Sequence, residues 1–370
     1  MSELRFLHAA DLHLDSPFEG LSAGKAAMRR TEQRLLLQRM AALVRQEKLS
    51  LVLLSGDLLD SELSYAETGE TLVSCLRQMA VPVLIAPGNH DYYTERSPYA
   101  RLPFSDNVHI FTKNEIESVD LPELNARVYG AAFTGPESPA LLEGFRAERS
   151  GGRLELLCLH GEVTERESRY DPIREESLAR SGIHYAALGH VHKASGLKKA
   201  GDTFYAWPGC PEGRGFDECG EKTVSIVELS GSDCRIRPIS LATRRYMCLT
   251  VDVSGSDPLL AVHDQLDDET VRDVYRIVLT GEVDAPPDLN RLRTGLNELF
   301  YTLELRDETR LRQDVWTGAG ENSLRGLFLK KLHASWETAD GERKALIEQA
   351  ARWGLAALDR REEVQIHEDP

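Results

Sequence analysis

Five short motifs collect side chains that bind divalent metals and move protons. They are Asp11-Leu12-His13, Gly56-Asp57-Leu58-Leu59-Asp60, Gly88-Asn89-His90-Asp91, His160-Gly161 and Gly189-His190-Val191-His192. Carboxylate, imidazole and amide oxygen are all represented, and thiolate is not. A nitrogen and oxygen donor set of this kind suits divalent manganese, iron or zinc. In an extended chain alternate residues share a face, so D-x-H and H-x-H each aim two side chains at one place. The donors are more than one tetrahedral ion can use, whereas two ions sharing a carboxylate account for them. Two ions about 3.5–4 Å apart clamp the attacking and leaving oxygens of an in-line displacement at phosphorus.

Each motif follows a predicted strand. Leu51–Ser55 is a continuous apolar run, as expected of a strand buried on both faces, and Arg5–Ala10, Val81–Ala86, Leu154–Leu159 and Tyr185–Leu188 also read as strands. Helical spacing over Lys25–Glu47 and Tyr65–Met79 separates the first three. Shorter strands are expected at Val108–Phe111, Ala126–Tyr129 and Thr203–Ala206, with a hairpin at Thr223–Leu229 and Cys234–Ile239. Alternating βα units that give way to hairpins predict an α/β fold of two packed sheets flanked by helices. In open α/β sheets, ligands gather at the C-terminal ends of strands, where these motifs stand.

The texture changes near Thr243. Strand, helix, strand, helix and strand signals over Tyr246–Leu305 predict a small α+β module, and two amphipathic helical stretches follow Ser323. The expected domains are therefore residues 1–242, 243–316 and 317–370, the last a helical tail.

Together the five motifs, in this order, resemble the calcineurin-like metallophosphoesterases, and the resemblance covers roughly the first 240 residues. It implies an αββα sandwich and two divalent ions, with manganese expected and iron, zinc or magnesium as alternatives. Asp11, His13, Asp57 and His192 would hold the first ion. Asp57 would bridge, and Asn89, His160 and His190 would complete the second. His90 would lie by the leaving-group oxygen without binding metal. The longer run Asp11–Phe18, the segment Gly209–Glu218 and the C-terminal module are similar to the DNA-repair exonuclease branch, SbcD-like and nearest the bacterial YhaO proteins. That branch implies DNA as substrate, a 3′→5′ exonuclease activity, a second domain that caps the cleft, and a helical pair that docks on an SbcC-like, SMC-like coiled-coil ATPase. Relatives also dimerise, so a homodimer is expected.

Other residues are placed by chemistry alone. Asp60 is a candidate partner for a ligating group or a cap, Asp91 a candidate loop anchor, and Asp15 lies near the same chemistry. Arg214, in the glycine-rich segment, and Arg166, Arg169 and Arg174 are candidates to steer a phosphate backbone, although acidic residues are interleaved with the latter three. Tyr92, Tyr93, Trp207 and Phe216 are candidates for stacking on bases.

Composition sets limits. The 370 residues carry a net charge of −16, which argues against bulk electrostatic attraction for nucleic acid. Two dications would reverse the local field in the cleft, and an ATPase partner would supply much of the grip on DNA. No apolar run approaches the ~20 residues of a membrane helix. The six cysteines have no CxxC spacing and read as free thiols of a reducing cytoplasm. Two readings compete with a DNA exonuclease: a phosphatase or cyclic-nucleotide phosphodiesterase with the same metal set, and a non-catalytic regulatory subunit of an SMC-like ATPase complex.

Overall fold

The computed structural model describes residues 3–61, 63–148, 151–266, 270–312 and 315–358. Among them the chain divides into two compact units. The first comprises Met1–Leu249, Leu266–Ile277 and Arg293–Leu305. The second comprises Thr250–Gln265, Val278–Leu292 and the described residues from Arg306 onward.

The first unit is built on two six-stranded sheets. Strands β1 (Leu4–Ala9), β2 (Leu51–Leu54), β3 (Val83–Ile85) and β4 (Val108–Ile110) lie side by side and parallel. Helix α1 (Ala23–Gln46) links β1 to β2, and α2 (Ala66–Met79) links β2 to β3. The second sheet is made by β5 (Glu117–Leu121), β6 (Ala126–Gly130) and β7 (Leu154–His160), then, past the short pair β8 (Glu162–Val163) and β9 (Pro172–Ile173), by β10 (Tyr185–Gly189), β11 (Lys198–Ala200) and β12 (Thr203–Ala206). Its order is β11-β12-β10-β7-β6-β5, with β6, β7, β10 and β12 parallel. The chain then returns to the first sheet as the antiparallel pair β13 (Thr223–Ser230) and β14 (Asp233–Ser240), with β13 beside β1.

Alternation along β2 explains its uninterrupted apolar sequence. Val52 and Leu54 pack outward against Leu36, Met40 and Val44 of α1 and Leu72 and Leu76 of α2. Leu51 and Leu53 face inward, into a core shared with Leu156, Cys158, Tyr185 and Ala187 of the other sheet. A third core covers the far face of that sheet, where Leu157, Leu159, Ala186 and Leu188 meet Leu142, Leu178 and Ile183. The unit is thus a mixed α/β sandwich whose buried strands have no polar face. Two strands arise that the sequence reading did not place, β5 (Glu-Ser-Val-Asp-Leu) and β11 (Lys-Lys-Ala), both at sheet edges.

In the second unit, helix Pro258–His263 is capped by Asp257, whose carboxylate accepts from the Leu259 and Leu260 amides. The chain ends in an antiparallel helical pair, Leu324–Glu337 and Gly341–Leu358, with Leu329 and Ala351 buried between Phe328, Leu332 and Leu355. Leu324, Leu327, Leu346, Trp353 and Leu358 remain exposed. The expected tail beyond residue 358 lies outside the described residues. No helix among the described residues is long and apolar enough to cross a membrane.

Candidate metal centre

Parallel strands put their C-terminal ends on one side, and both sheets contribute. Asp11 and His13 follow β1, Asp57 follows β2, and Asn89 and His90 follow β3. His160 ends β7, and His190 and His192 follow β10. The two sheet ends are joined directly: the imidazole Nδ1 of His160 donates to the Ser55 carbonyl at 2.9 Å, and the Ser55 hydroxyl donates to Ala187 O at 3.0 Å. Gly189 makes this approach possible, since a Cβ there would stand 1.8 Å from Ser55 O.

The backbone turns sharply where the ligands leave the strands. Asp11, His13, Asp57 and His190 all have positive φ, at 55°, 43°, 51° and 91°. Left-handed geometry costs a non-glycine residue on the order of 1–3 kcal/mol, and it persists where surrounding contacts fix it. Here those contacts are backbone bonds from Asp11 N to Gly56 O at 3.0 Å and from His13 N to Asp57 O at 2.9 Å.

Three side-chain clusters result: Asp11 with His13 and His192, Asp11 with Asp57 and His160, and Asp57 with His13 and His90. Within each, the potential ligand atoms lie within 4.8 Å of one another. Asp57 and Asp11 each belong to two clusters. Asn89 joins through its amide oxygen, 3.0 Å from His160 Nε2. His190 lies beside the clusters: its amide donates to Asp11 Oδ1 at 3.0 Å, and its ring stands 5.2 Å from His160 and 4.9 Å from Tyr170.

The hydrogen bonds test whether cations fit. His13 Nδ1 donates to Asp60 Oδ1 at 3.0 Å, and His192 Nδ1 donates to Glu218 Oε1 at 2.7 Å. An ionised carboxylate only accepts, so each ring carries a proton on Nδ1, and in the neutral ring Nε2 carries the lone pair. Those two Nε2 atoms face one another at 3.2 Å. His160, with Nδ1 engaged at Ser55, likewise turns Nε2 toward Asp57 Oδ2 at 3.3 Å. Two imidazole nitrogens facing one another, and two buried carboxylates gathered around His160, are arrangements that positive charge satisfies. The residues present therefore fit two divalent ions.

Electrostatics agree. Burial opposes it, yet the charge of Asp57, then Asp11, pushes His160 up to about 9. Burial likewise opposes ionisation of Asp57, and His160, then His13 and His90, hold its carboxyl well below the usual range. Burial pushes the Asp11 carboxyl up. His190 is pushed down to about 4, first by burial and then by the charge of His160. A dication held by these residues would supply the positive charge that the histidine proton supplies to the buried carboxylates.

A support layer surrounds the ligands. Arg214 spans both carboxylates behind the histidines, donating to Asp60 Oδ1 at 3.1 Å and Glu218 Oε1 at 2.7 Å. The segment that carries Arg214 and Glu218 is anchored by Arg29 of α1. Its buried guanidinium reaches Glu212 Oε1 at 2.6 Å and Gly213 O at 3.1 Å. Asp60 thus touches a ligand-bearing group, one of the two roles the sequence left open, and Arg214, read there as a candidate to steer a phosphate backbone, is placed against Asp60 and Glu218. Glu218 was not singled out there, because its partner lies 26 residues away and only the chain's return across the site joins them. Asp91 anchors the loop, accepting from the amides of Leu58 at 2.7 Å and Gly88 at 2.8 Å. Asp15 is placed elsewhere: it accepts from Tyr65 N at 2.9 Å and Thr68 Oγ1 at 2.6 Å, at the start of α2.

His90 is exposed at the mouth of the cluster. Its amide donates to Asp57 Oδ1 at 2.9 Å, and its ring Nδ1 lies 3.3 Å from the Asp60 carbonyl. Of the other candidates, Arg169 pairs with Glu137 at 2.8 Å and Arg174 with Glu165 at 2.9 Å. Trp207 is buried, its indole N–H shared between Gly161 O and Gly189 O at 3.0 and 3.1 Å. Tyr93 packs against the core, and Phe216 packs edge-on to Tyr246 at 5.2 Å.

Comparison with known proteins places this arrangement. A family profile described as "Calcineurin-like phosphoesterase" matches residues 4–194. The "Uncharacterized metallophosphoesterase YhaO" of Bacillus subtilis (strain 168) is 27% identical over 283 residues, covering 72% of this chain and 68% of that protein. A protein of the same organism, named as a subunit of the nuclease SbcCD, is 24% identical, covering 61% and 66%. "DNA double-strand break repair protein Mre11" of Aeropyrum pernix is 28% identical, covering 67% and 64%. The chain therefore spans about two thirds of the length of the curated relatives it matches.

Proposed function

Because the chain belongs to the calcineurin-like phosphoesterase family, we propose that it hydrolyses phosphodiester bonds of DNA, as a 3′→5′ exonuclease working with two divalent ions. The observation that carries the hydrolytic part is the convergence of His13 Nε2 and His192 Nε2, 3.2 Å apart, with the buried carboxylates of Asp11 and Asp57 beside them. The preference for DNA is supported by two relatives, one named as part of a nuclease and the other as a double-strand break repair protein.

Asp11, His13, Asp57 and His192 would hold one ion, and Asp57, Asn89, His160 and His190 the other. When bound, the two ions supply Lewis acidity, activating water and neutralising phosphoryl oxygens. The chain's own residues do the rest. Asp60 and Glu218 fix the tautomers of His13 and His192, so that lone pairs face the centre. Asp91 and the Ser55 carbonyl hold the loop and His160 in place. His90, exposed and anchored through Nδ1 at the Asp60 carbonyl, presents Nε2 to the substrate and donates a proton to the leaving 3′ oxygen.

Manganese is the ion we propose. An SbcC-like, SMC-like coiled-coil ATPase is the proposed partner of the tail helices, with a homodimer of this chain as the proposed assembly. The acidic balance of −16 supports the ATPase as a source of DNA affinity.

A phosphatase shares the same ligands, so substrate choice is tested directly. End-labelled single- and double-stranded DNA, bis-p-nitrophenyl phosphate, p-nitrophenyl phosphate and cyclic AMP are offered with Mn²⁺, with and without EDTA. EDTA-sensitive release of mononucleotides from 3′ ends is expected. Turnover of p-nitrophenyl phosphate alone would overturn the DNA reading in favour of a phosphatase. No turnover of any substrate by metal-replete protein would favour a regulatory role without catalysis.

A further inference from the structure

Away from the metal ligands, one pair of nucleophilic side chains is close enough to react with itself. Cys219 Sγ and Cys248 Sγ stand 3.6 Å apart, 29 residues apart in the chain. Cys219 is half-buried and Cys248 exposed, whereas Cys75, Cys158, Cys210 and Cys234 are all buried. The pair is held in register by contacts that do not involve sulfur. Gly220 N donates to Tyr246 O at 2.9 Å, and the Phe216 ring packs on Tyr246. Phe216 in turn lies under the Arg276 guanidinium, 3.9 Å from the ring centroid. Cys219 directly follows Glu218 in the segment behind His192, and Cys248 lies on the strand Tyr246–Asp252.

We propose that Cys219 and Cys248 are a modification site: a dithiol that hydrogen peroxide converts to an intramolecular disulfide, stapling the Arg214–Glu218 segment to the strand beginning at Tyr246. Exposure assigns the roles. The Cys248 thiolate meets the oxidant and attacks one peroxide oxygen; the O–O bond breaks, water leaves after protonation, and a sulfenic acid remains. Cys219 then gives up its proton and attacks the Cys248 sulfur; the S–O bond breaks and a second water leaves. Two thiols and one hydrogen peroxide yield one disulfide and two waters, a two-electron oxidation of the pair. Burial, with Cys248 beside it, pushes the Cys219 thiol up to about 11, which suits the residue that resolves rather than initiates. The sulfur atoms, already in contact at 3.6 Å, have to close to a bond of about 2.05 Å. The step needs no metal and is independent of substrate.

The test uses the full chain. Protein reduced and freed of reductant is treated with hydrogen peroxide, its remaining thiols are alkylated, and it is digested without reductant. The expected result is a peptide linking Cys219 to Cys248, with reactive thiols of the denatured protein falling from six to four and returning to six with dithiothreitol. Cys248→Ser should abolish the linked peptide, and Cys219→Ser should leave a dimedone-reactive sulfenic acid on Cys248; circular dichroism checks that both are folded. The linked peptide of the unsubstituted protein is read without either variant. Both thiols fully alkylated after peroxide treatment, disulfides to other cysteines, or disulfide-linked dimers on a non-reducing gel would overturn the proposal.

Discussion

Glu218 accepts a hydrogen bond from His192 Nδ1 at 2.7 Å, and this carboxylate decides which nitrogen of His192 faces the metal centre. Arg214 braces the same oxygen at 2.7 Å. Burial works against the charge on Glu218, but its bonds to His192 and Arg214 hold it far below the usual carboxylate range. Glu218→Gln keeps the shape, removes the charge and frees the imidazole to change tautomer. Affinity for Mn²⁺ should fall by about 10–100-fold, the usual cost of losing such a partner. Titration calorimetry on the metal-free protein measures this without reference to activity. Glu221→Gln, three residues on, is the control. Equal affinities for the two variants would mean that Glu218 only packs.

His90 is the exposed imidazole of the site, with Nδ1 3.3 Å from the Asp60 carbonyl. If it protonates the leaving oxygen, His90→Asn should lower turnover of a diester by about 10²–10⁴-fold. Metal content, measured by plasma mass spectrometry after desalting, should stay at the level of the unsubstituted protein. Loss of an ion in this variant would instead assign His90 as a ligand, in keeping with its place beside His13 and Asp57.

The positions of these residues were legible because each follows an apolar strand. Strand order and parallel pairing then bring their ends together. Two packed sheets followed from the same reading, but not their joint at Ser55 and His160. Glu218 was not legible, because nothing local distinguishes it from Glu212 or Glu221. Only the Arg29 anchor and the return of the chain across the site give it His192. Asp15 resembled a site residue by sequence proximity to His13, yet one residue of turn sends its carboxylate to the start of α2. The edge strands β5 and β11 were invisible because one or both faces meet water, so their sequences keep charged and small residues.

Asp171 gives the molecule a pH-dependent stability. It is buried with a φ of 45°, accepts from Leu141 N at 2.8 Å, and its second oxygen has no hydrogen-bond partner among the described residues. Burial pushes its carboxyl up to about 7, from an ordinary value of 3.8. Between these values the folded chain holds a proton that the unfolded chain has lost. Stability from this group is therefore full below about 4 and is lost as pH rises toward 7. Asp171→Asn removes the titration, tolerates the left-handed backbone and keeps an acceptor for Leu141. At pH 8 the variant should be the more stable by roughly 1–4 kcal/mol, and at pH 4 the advantage should vanish. Urea unfolding of both proteins at the two pH values, in EDTA, reads the difference. A constant offset between them would show that Asp171 does not titrate in this range.

Gly189 is the residue on which the joint between the two sheets depends. A methyl group there would stand 1.8 Å from the Ser55 carbonyl oxygen and 2.8 Å from His160 Nδ1. Neither neighbour can yield cheaply, because Ser55 is fixed between Ala9 and Ala187 and His160 is buried. Gly189→Ala should destabilise the fold by about 1–3 kcal/mol or more through overpacking. It should also break the bond that aligns His160, so metal affinity falls together with the melting temperature. Gly135→Ala, where the methyl group would meet nothing within 4 Å, should change neither. A Gly189→Ala protein that melts and binds Mn²⁺ like the unsubstituted chain would mean that the strand ends approach less closely in solution than Ser55 and Gly189 do here.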